Sequence, residues 1–367
     1  MATIAVAGAI AQRPGRPGHA WAFLAYLLGF RALGYEVLFV DSLGPGDDPA
    51  WLAEAMAWAG LEGCWAALHG EGEALGMPRR RLLEELRGAD FLLNVNGFLV
   101  DPDLLAASPR RVYLDIDPGF GQIWAEQGLA DTFAGHDDFV SVGTNLGGPG
   151  CTVPLLDREW IATLPPVPLE RWPVAAGGRG FTSVASWRGP FGPLEHEGRT
   201  LGLRAHELRR FAALPRQVEA PFELALDIDP TDAADRALLS REGWRLRDPL
   251  RELADFDAYR AYVRGSAAEI AIAKGLYVGT KGGWFSDRSA TYLASGKPVI
   301  AQDTGFGAAL PTGCGLLAFE DPDEAVAAVE EVLARPAKHE RAARALAEEH
   351  LDARLVLGRL LGRLGAA

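Results

Sequence analysis

The sequence has few cysteines and no long apolar run. Its three cysteines, Cys64, Cys151 and Cys314, are widely spaced and form no C-x-x-C pair, which argues against a disulfide framework and a zinc site. No stretch of about 20 uncharged apolar residues occurs, so we expect no membrane-spanning helix. The N-terminus lacks the basic region and long apolar core of a signal peptide. These absences predict a cytoplasmic protein.

Positive charge is also scarce. The 367 residues include 36 basic and 49 acidic side chains, a net charge of −13. Nucleic-acid binding depends on clustered lysine and arginine, so nucleic acid is not expected as the main partner. A local basic pocket for one small phosphorylated ligand remains compatible with this balance. The length predicts two domains, and the hydrophobic content of 49% is ordinary for a globular protein.

The chain begins with a β-α-β pattern but without a dinucleotide motif. A buried strand is predicted at Thr3–Ala9, a helix from His19 to Leu33, and a second strand at Tyr35–Asp41. The loop Gln12–Gly18 between the first two elements contains no G-x-G-x-x-G. No P-loop sequence occurs either, so a dinucleotide-dependent dehydrogenase is not favoured.

Strand and helix patterns alternate along the rest of the chain, which is typical of parallel sheets covered by helices. A proline-rich connection at residues 147–180 separates two α/β halves of similar size, and a ligand cleft is expected between such halves. Further strands are predicted at Phe91–Val95, Val112–Asp115, Phe139–Val142, Phe181–Trp187, Phe222–Asp227, Trp244–Arg247 and Lys297–Asp303, and helices at Glu324–Ala334, Ala337–His350 and Leu351–Leu364.

The segment Val278–Gly305 has the features of an anion site. A glycine-rich loop leads into a helix that starts at Ser286 or Asp287, and a helix N-terminus carries partial positive charge. Lys281 and Arg288 would add the cationic charge that a diphosphate needs. The alternative is structural, with Ser286 only an N-cap and Arg288 a solvated first-turn residue.

The same segment resembles the donor site of GT-B glycosyltransferases. Thr280-Lys281-Gly282-Gly283-Trp284-Phe285-Ser286 is similar to the T-H-C-G-W-N-S signature of the plant-type branch, and the following Ala-Ser-Gly-Lys-Pro-Val is similar to A-C-G-x-P-V. The loop at 302–306 corresponds to the one that meets the sugar. Many relatives carry a ribose-binding glutamate in this helix, where this chain has Thr291.

The resemblance implies a set of donor contacts. Arg188 would be a second diphosphate ligand, Asp303 and Thr304 would hold sugar hydroxyls, and Asp287 or Glu269 would replace the ribose-binding glutamate. The implied donor-binding residues are Arg188, Glu269, Lys274, Thr280, Lys281, Gly282, Gly283, Trp284, Ser286, Asp287, Arg288, Ser289, Asp303 and Thr304.

The N-terminal half carries a second resemblance, to the acceptor-domain opening P-x-x-x-G-H of the plant-type branch. His19 stands at that motif's catalytic histidine, which implies a general base with a pKa near neutrality for the acceptor hydroxyl. Asp115 or Asp117 would orient the ring. The structural alternatives are a helix-capping or phosphate-binding role for His19 and a turn-initiating role for the aspartates.

Together these features predict an α/β protein with the GT-B fold, two Rossmann-like domains facing a central cleft. The expected domains are 1–165 for the acceptor and 166–350 for the donor, followed by a C-terminal helix at 351–367, with packing back on the first domain as one option. The expected activity is inverting, metal-independent sugar transfer from a nucleoside-diphosphate sugar, taken as a UDP-sugar, to a small-molecule or glycan acceptor without a cofactor. A nucleotide-sugar epimerase and a non-catalytic nucleotide-binding protein remain alternatives.

Overall fold

The computed structural model describes residues 2–70 and 73–366. The chain forms two compact units, each with its own sheet. The first comprises Met1–Gly143, Pro154–Pro168 and Asp352–Ala367, and the second Thr144–Val153 and Leu169–Leu351.

The strands lie in chain order. They are β1 (Thr3–Gly8), β2 (Glu36–Leu43), β3 (Trp65–His69), β4 (Glu73–Gly76), β5 (Phe91–Val95), β6 (Arg111–Asp115), β7 (Asp138–Ser141), β8 (Trp160–Ala162), β9 (Phe181–Ser186), β10 (Leu194–His196), β11 (Arg199–Leu201), β12 (Phe222–Asp227), β13 (Trp244–Arg247), β14 (Ala268–Ala271), β15 (Val299–Gln302) and β16 (Leu316–Phe319).

The helices cover the two main sheets. They are α1 (Pro17–Ala32), α2 (Pro49–Ala59), α3 (Arg79–Gly88), α4 (Pro102–Ala107), α5 (Phe120–Glu126), α6 (Arg204–Arg210), α7 (Ala233–Arg241), α8 (Pro249–Glu252), α9 (Phe256–Arg264), α10 (Gly275–Thr280), α11 (Asp287–Ala294), α12 (Pro322–Ala334), α13 (Pro336–Leu346) and α14 (Ala353–Leu364).

The two main sheets share one strand arrangement. In the first unit the order is β4-β3-β2-β1-β5-β6-β7-β8, parallel except for the antiparallel pair β3–β4. In the second unit it is β13-β12-β9-β14-β15-β16, parallel throughout. Each unit therefore contains the Rossmann-like order third-second-first-fourth-fifth-sixth, if the short hairpin strand β4 is set aside. The strand order reverses between β1 and β5 and between β9 and β14, which are the places where such sheets bind ligands.

The longest apolar runs are strands at or close to the predicted bounds. β5, β12 and β13 coincide with their predictions, and β1 and β9 are each one residue shorter. β5 and β12 are buried along almost their whole length, as strands covered on both faces of a parallel sheet are, whereas β13 is an edge strand in which only Trp244 is buried. The pattern assigned no strand to 268–271, which forms β14, because alanines and a glutamate are poor strand formers.

The expected glycine-rich loop begins as a helix. Residues 275–280 form α10, so Gly279 lies inside a helical turn and the loop proper starts at Lys281, which adopts a left-handed φ of 50°. A Cβ at Gly279 would lie only 2.7 Å from a methyl group of Leu201, so a residue without a Cβ fits here. Close packing against the hairpin β10–β11 thus outweighs the low helix propensity of glycine.

The C-terminal helix α14 belongs to the first unit and packs on α1. A Cβ at Gly29 would lie only 2.5 Å from a methyl group of Leu357, so the two helices approach closely at this point. Ala353 N–H donates to Val167 O at 2.9 Å where the chain re-enters this unit.

Candidate functional site

The second unit contains a pocket of about 260 Å³, open solvent included, at the carboxyl ends of β14 and β15. The first turn of α11 forms one of its walls. The carboxyl ends of strands are where open α/β sheets bind ligands. The described lining residues are Ala271, Ile272, Ala273, Trp284, Phe285, Ser286, Arg288, Ser289, Ala301, Gln302, Thr304 and Phe306.

The amino end of α11 supplies backbone donors to this pocket. Ser286 is the N-cap, and its hydroxyl makes no capping hydrogen bond. The first helical bond runs from Ala290 N–H to Ser286 O at 3.0 Å, so the N–H groups of Arg288 and Ser289 precede the hydrogen-bonded ladder of the helix. These groups and the helix dipole favour an anion at this end. Gly296, with a φ of 72°, ends the helical segment as its sequence indicates.

Arg288 lines the pocket and also takes part in a buried ion pair. Its Nε donates to a carboxylate oxygen of Glu269, and its Nη1 donates to Val184 O at 2.8 Å. The side chains of Glu269 and Arg288 are 0% and 12% exposed. Burial alone would lower the pKa of Arg288, but the Glu269 carboxylate holds it above its ordinary value.

Glu269 has no exposed surface in this arrangement, so its carboxylate does not reach the pocket, and the predicted ribose contact is not supported. Thr291, at the position of the relatives' glutamate, donates its hydroxyl to Arg288 O at 2.7 Å. Asp287 lies in the first turn of α11 and is only partly buried.

Lys281 was expected as a mobile cation, but it joins two carboxylates. Its Nζ lies 2.5 Å from Asp303 and 2.6 Å from Glu320. Burial alone would lower the pKa of Lys281, and the two carboxylates raise it above its ordinary value. Burial would likewise raise the pKa of Asp303, but Lys281 and the Gly305 N–H lower it. Lys281 and Asp303 therefore fasten the loops that follow α10 and β15 to each other.

The loop after Lys281 is held by a segment to which the sequence analysis gave no role. Asn145 is buried, donates its amide to Lys281 O at 2.8 Å and to Pro149 O at 3.1 Å, and donates its N–H to Gly282 O at 3.1 Å. Gly283 adopts a φ of 83°, and a Cβ there would lie 2.3 Å from Asn145 N. Glycine is required here by both conformation and space.

Thr304 connects the same loop to the pocket. Its hydroxyl donates to Trp284 O at 2.5 Å, and its carbonyl accepts the Gly283 N–H at 2.8 Å. The hydroxyl that was expected to hold the sugar is thus engaged by the backbone, although the residue lines the pocket.

Two further predicted contacts are engaged inside or near α10. The Thr280 hydroxyl donates to Leu276 O at 2.8 Å within the helix. Lys274 Nζ donates to the Tyr277 hydroxyl at 3.0 Å. The Tyr277 ring stacks on Trp284 with centroids 4.2 Å apart and planes 21° apart, which presents the indole to the pocket on a rigid base.

Arg188 pairs with an acid outside the described pocket lining. Its Nε donates to Asp232 at 3.0 Å, and its Nη2 also contacts that carboxylate. The Asp232 hydrogen bond raises the pKa of Arg188, whose side chain is 57% exposed. Arg188 therefore shares its charge with Asp232, and its contact with a diphosphate stays a prediction.

The structure thus divides the predicted donor residues into three groups. Trp284, Ser286, Arg288, Ser289 and Thr304 line the pocket; Lys281, Gly282, Gly283 and Asp303 build the adjoining loops; Arg188, Glu269, Lys274, Thr280 and Asp287 are outside the described lining.

His19 lies at the start of α1 in the first unit, with its ring partly buried. Nε2 is 2.7 Å from Ala9 O, and because a carbonyl can only accept, Nε2 carries the proton and Nδ1 has the lone pair in the neutral ring. Burial lowers the pKa of His19 to about 4, against the hydrogen bond that the ring donates to Ala9 O, which raises it. The expectation of a pKa near neutrality is therefore wrong, although the neutral ring that a base requires is present above that pH.

The two candidate orienting acids differ in environment. Asp115 is buried and accepts hydrogen bonds from Gln122 Nε2 at 2.7 Å, Ser141 Oγ at 2.8 Å and Asp117 N at 3.0 Å. Burial raises the pKa of Asp115 to about 6, with these bonds opposing the rise. Asp117 is partly exposed, and its charge acts on His19, where it raises the pKa. Asp115 therefore organises the backbone after β6, and which of the two acids orients His19 stays a prediction.

Two findings concern residues 2–70 and 73–366 as a whole. No group of three or more histidine, cysteine, aspartate or glutamate side chains with a metal-binding arrangement occurs there. Among those same residues, no helix has both the length and the apolar character needed to cross a membrane.

Several solved structures are similar to this chain over their full length. HepE of Anabaena, solved with UDP and glucose, has a TM-score of 0.63 at 12% identity, with 100% of both chains covered. An α-glucosyltransferase in complex with UDP and a 13-mer DNA has a TM-score of 0.62 at 10% identity, again with 100% of both chains covered. A UDP-GlcNAc 2-epimerase from Neisseria meningitidis bound to UDP-GlcNAc has a TM-score of 0.51 at 11% identity, covering 99% of this chain and 100% of that one.

No protein family and no curated protein sequence matches the chain. At these identities the structural likeness establishes the fold, and the chain has the GT-B fold that the sequence predicted. The finer resemblance to the plant-type branch stays a prediction.

Proposed function

We propose that this protein is a glycosyltransferase that moves a sugar from a nucleoside-diphosphate sugar, taken as a UDP-sugar, to an acceptor hydroxyl. One observation carries the proposal: the pocket at the carboxyl ends of β14 and β15 is bounded by the amino end of α11 and by Arg288. Partial and full positive charge thus converge on one cavity in a GT-B fold, and a diphosphate is the anion that this arrangement suits.

The donor would bind with its diphosphate against the first turn of α11. Ser286, Arg288 and Ser289 line the pocket, so their backbone N–H groups, the two hydroxyls and the guanidinium would be the donors. They would stabilise the charge that develops on the diphosphate as it leaves. Trp284, rigid on Tyr277, offers an aromatic face for the base or the sugar.

His19 would act as the general base on the acceptor hydroxyl, with inversion at the anomeric carbon and without a metal. In the tautomer required by Ala9 O, Nδ1 is the nitrogen able to accept the proton. The proton passes from the acceptor oxygen to Nδ1 as the oxygen attacks and the nucleoside diphosphate departs. The negative charge of Asp117 favours the imidazolium that forms.

The acceptor proposed is a small molecule or glycan, with no cofactor. An α-glucosyltransferase of the same fold was solved with DNA, so exclusion of nucleic acid from this chain stays a prediction. A screen of glycans, small hydroxyl compounds and duplex DNA as acceptors, with UDP release as the readout, distinguishes these classes.

The test of the proposal is ligand binding followed by turnover. Nucleoside diphosphates and their sugars are compared by thermal shift, because a ligand that binds only the folded chain raises its melting temperature. Selective stabilisation by UDP compounds and transfer to an acceptor are expected, and NMR of the product then gives the anomeric configuration. Absence of stabilisation by every nucleoside diphosphate would overturn the proposal.

A nucleotide-sugar epimerase is the second candidate, because the UDP-GlcNAc 2-epimerase from Neisseria meningitidis has the same fold. It would use the same pocket without an acceptor. Incubation with donor alone decides between the two: an isomerised sugar in the absence of acceptor identifies an epimerase. Binding without any turnover identifies a nucleotide-binding protein.

A further inference from the structure

A charged side chain lies in the middle of the second unit's sheet. Glu269 is on β14, between β9 and β15, and has no exposed surface. One carboxylate oxygen accepts the Arg288 Nε–H, while the other is buried without a hydrogen-bond partner among the described residues. A carboxylate half satisfied in this way is a costly group to bury.

The surroundings of the pair are polar. Among the described contacts, Arg288 is the one cation that pairs with Glu269. Thr182 on β9 is hydrogen-bonded to the Tyr292 hydroxyl at 2.8 Å, beside the pair. Tyr259 and Tyr292 lie close enough to act electrostatically on the pair, and Asp287 acts on Tyr259. Burial raises the pKa of Tyr292 well above its ordinary range, so the tyrosines are neutral and the balance is between Glu269 and Arg288.

Stability does not account for this pair. Replacement of a buried ion pair by apolar side chains of similar volume is often neutral or stabilising by about 1–4 kcal/mol. The location offers another reason, because Arg288 also lines the pocket. A guanidinium has five N–H donors, and Glu269 and Val184 O accept two of them. The same cation is therefore shared between a buried carboxylate and the pocket.

We infer that Glu269 is a positioning residue and resident counter-ion of Arg288, which holds the guanidinium in place and, by offsetting its charge, limits how tightly the pocket binds a diphosphate. This inference rests on the proposed function. If Glu269 had only a structural role, loss of its charge would weaken both the fold and anion binding. The inference predicts instead that this loss weakens the fold but strengthens anion binding.

The test measures the affinity of the full chain for UDP and for inorganic pyrophosphate by calorimetry. Glu269→Gln keeps an acceptor oxygen for Arg288 and removes the charge, so we expect tighter binding, on the order of tenfold, together with a lower melting temperature without ligand. Arg288→Met is expected to weaken binding. In the Arg288→Met background, Glu269→Gln should no longer tighten it, because the effect passes through the guanidinium.

Glu223→Gln is the matched control. Glu223 is also a buried glutamate of this sheet, 8% exposed on β12, and pairs with Arg247 at 2.9 Å. It does not belong to the described pocket lining. This variant is expected to lower stability and leave both affinities unchanged.

Each outcome bears on the inference. Equal or weaker binding by Glu269→Gln, or tightening that persists without Arg288, overturns it. If Glu269→Gln does not fold, Glu269→Asp replaces it. The charge remains in Glu269→Asp, so this variant must not bind the probes more tightly than the wild-type protein. An effect of Glu269→Asp on affinity that persists in the Arg288→Met background overturns the inference. If pyrophosphate binding responds as expected but no nucleotide binds, the inference stands and the proposed function fails. If wild-type protein binds neither probe, both fail.

Discussion

Asn145 offers the sharpest test of how the donor loop is held. Its amide donates to Lys281 O at 2.8 Å and to Pro149 O at 3.1 Å, and the residue is 8% exposed. Asn145→Ala removes both bonds without adding volume. Because the loop from Lys281 leads directly into the pocket-lining residues, we expect losses of both stability and ligand affinity.

The magnitude follows from the two bonds. Each contributes a net of about 1 kcal/mol, and the partly buried Lys281 carbonyl adds up to about 1 kcal/mol when it loses its partner, whereas Pro149 is exposed and its carbonyl can bond to water. We therefore expect the free energy of unfolding of the second unit to fall by about 2–3 kcal/mol, a large part of the roughly 5–15 kcal/mol of a typical domain. The affinity for UDP should fall about tenfold, equivalent to about 1.4 kcal/mol.

The measurements are urea denaturation and calorimetric titration with UDP. Asn94→Ala is the matched control, because Asn94 is also buried and its amide donates to Leu99 O at 2.9 Å, but it lies in the first unit. It should lose stability and keep the affinity for UDP. Unchanged stability and affinity in Asn145→Ala would refute the reasoning, and so would equal losses of affinity in both variants.

Three further predictions concern a glycine, a buried acid and the proposed base. Gly283→Ala forces a side chain to a φ of 83° and places its Cβ 2.3 Å from Asn145 N, so urea denaturation should show a loss of about 2 kcal/mol or more; wild-type stability would contradict the loop geometry. Burial raises the pKa of Asp41 from 3.8 to about 7, so the folded chain keeps a proton that the unfolded chain releases, and stability should fall by up to about 4 kcal/mol as the pH rises from 4 to 7. Asp41→Asn should remove that fall, and an unchanged pH profile of unfolding would count against it. With the pKa of His19 lowered to about 4, kcat/KM for transfer should show no histidine limb near pH 6.5 and should fall only as the ring is protonated near pH 4. His19→Gln should abolish transfer while His136→Gln preserves it, and equal activity in both would exclude His19 as the base.

Much of the fold was predictable because its signals are local. β5 and β12 are short, mainly apolar runs with turn-forming stretches on both sides, so their limits were predicted to the residue. The helix α11 was predictable from Ser286 at its start and Gly296 after its end. Strand β14 was missed because Glu269 is acceptable in a buried strand only with a partner on another element.

The candidate site was predictable in its location and less so in its contacts. Ser286, Ser289 and Arg288 were expected at the pocket and line it. Lys281 and Arg188 were expected there as cations for a diphosphate, but each pairs with carboxylates. A sequence pattern shows that a charge is present and does not show which opposite charge lies within reach of it.

The sequence by itself determined the succession of strands and helices, the two α/β halves and the anion-binding turn before α11, because each depends on residues close together in the chain. The tertiary structure decided the partners: Arg288 with Glu269, Lys281 with Glu320, and Asn145 with Lys281, the last pair 136 residues apart. It also decided that His19 has its proton on Nε2 and that Glu269 is buried. Such contacts depend on strand order and loop packing, which bring distant residues together and remove them from water, and no local pattern records either effect.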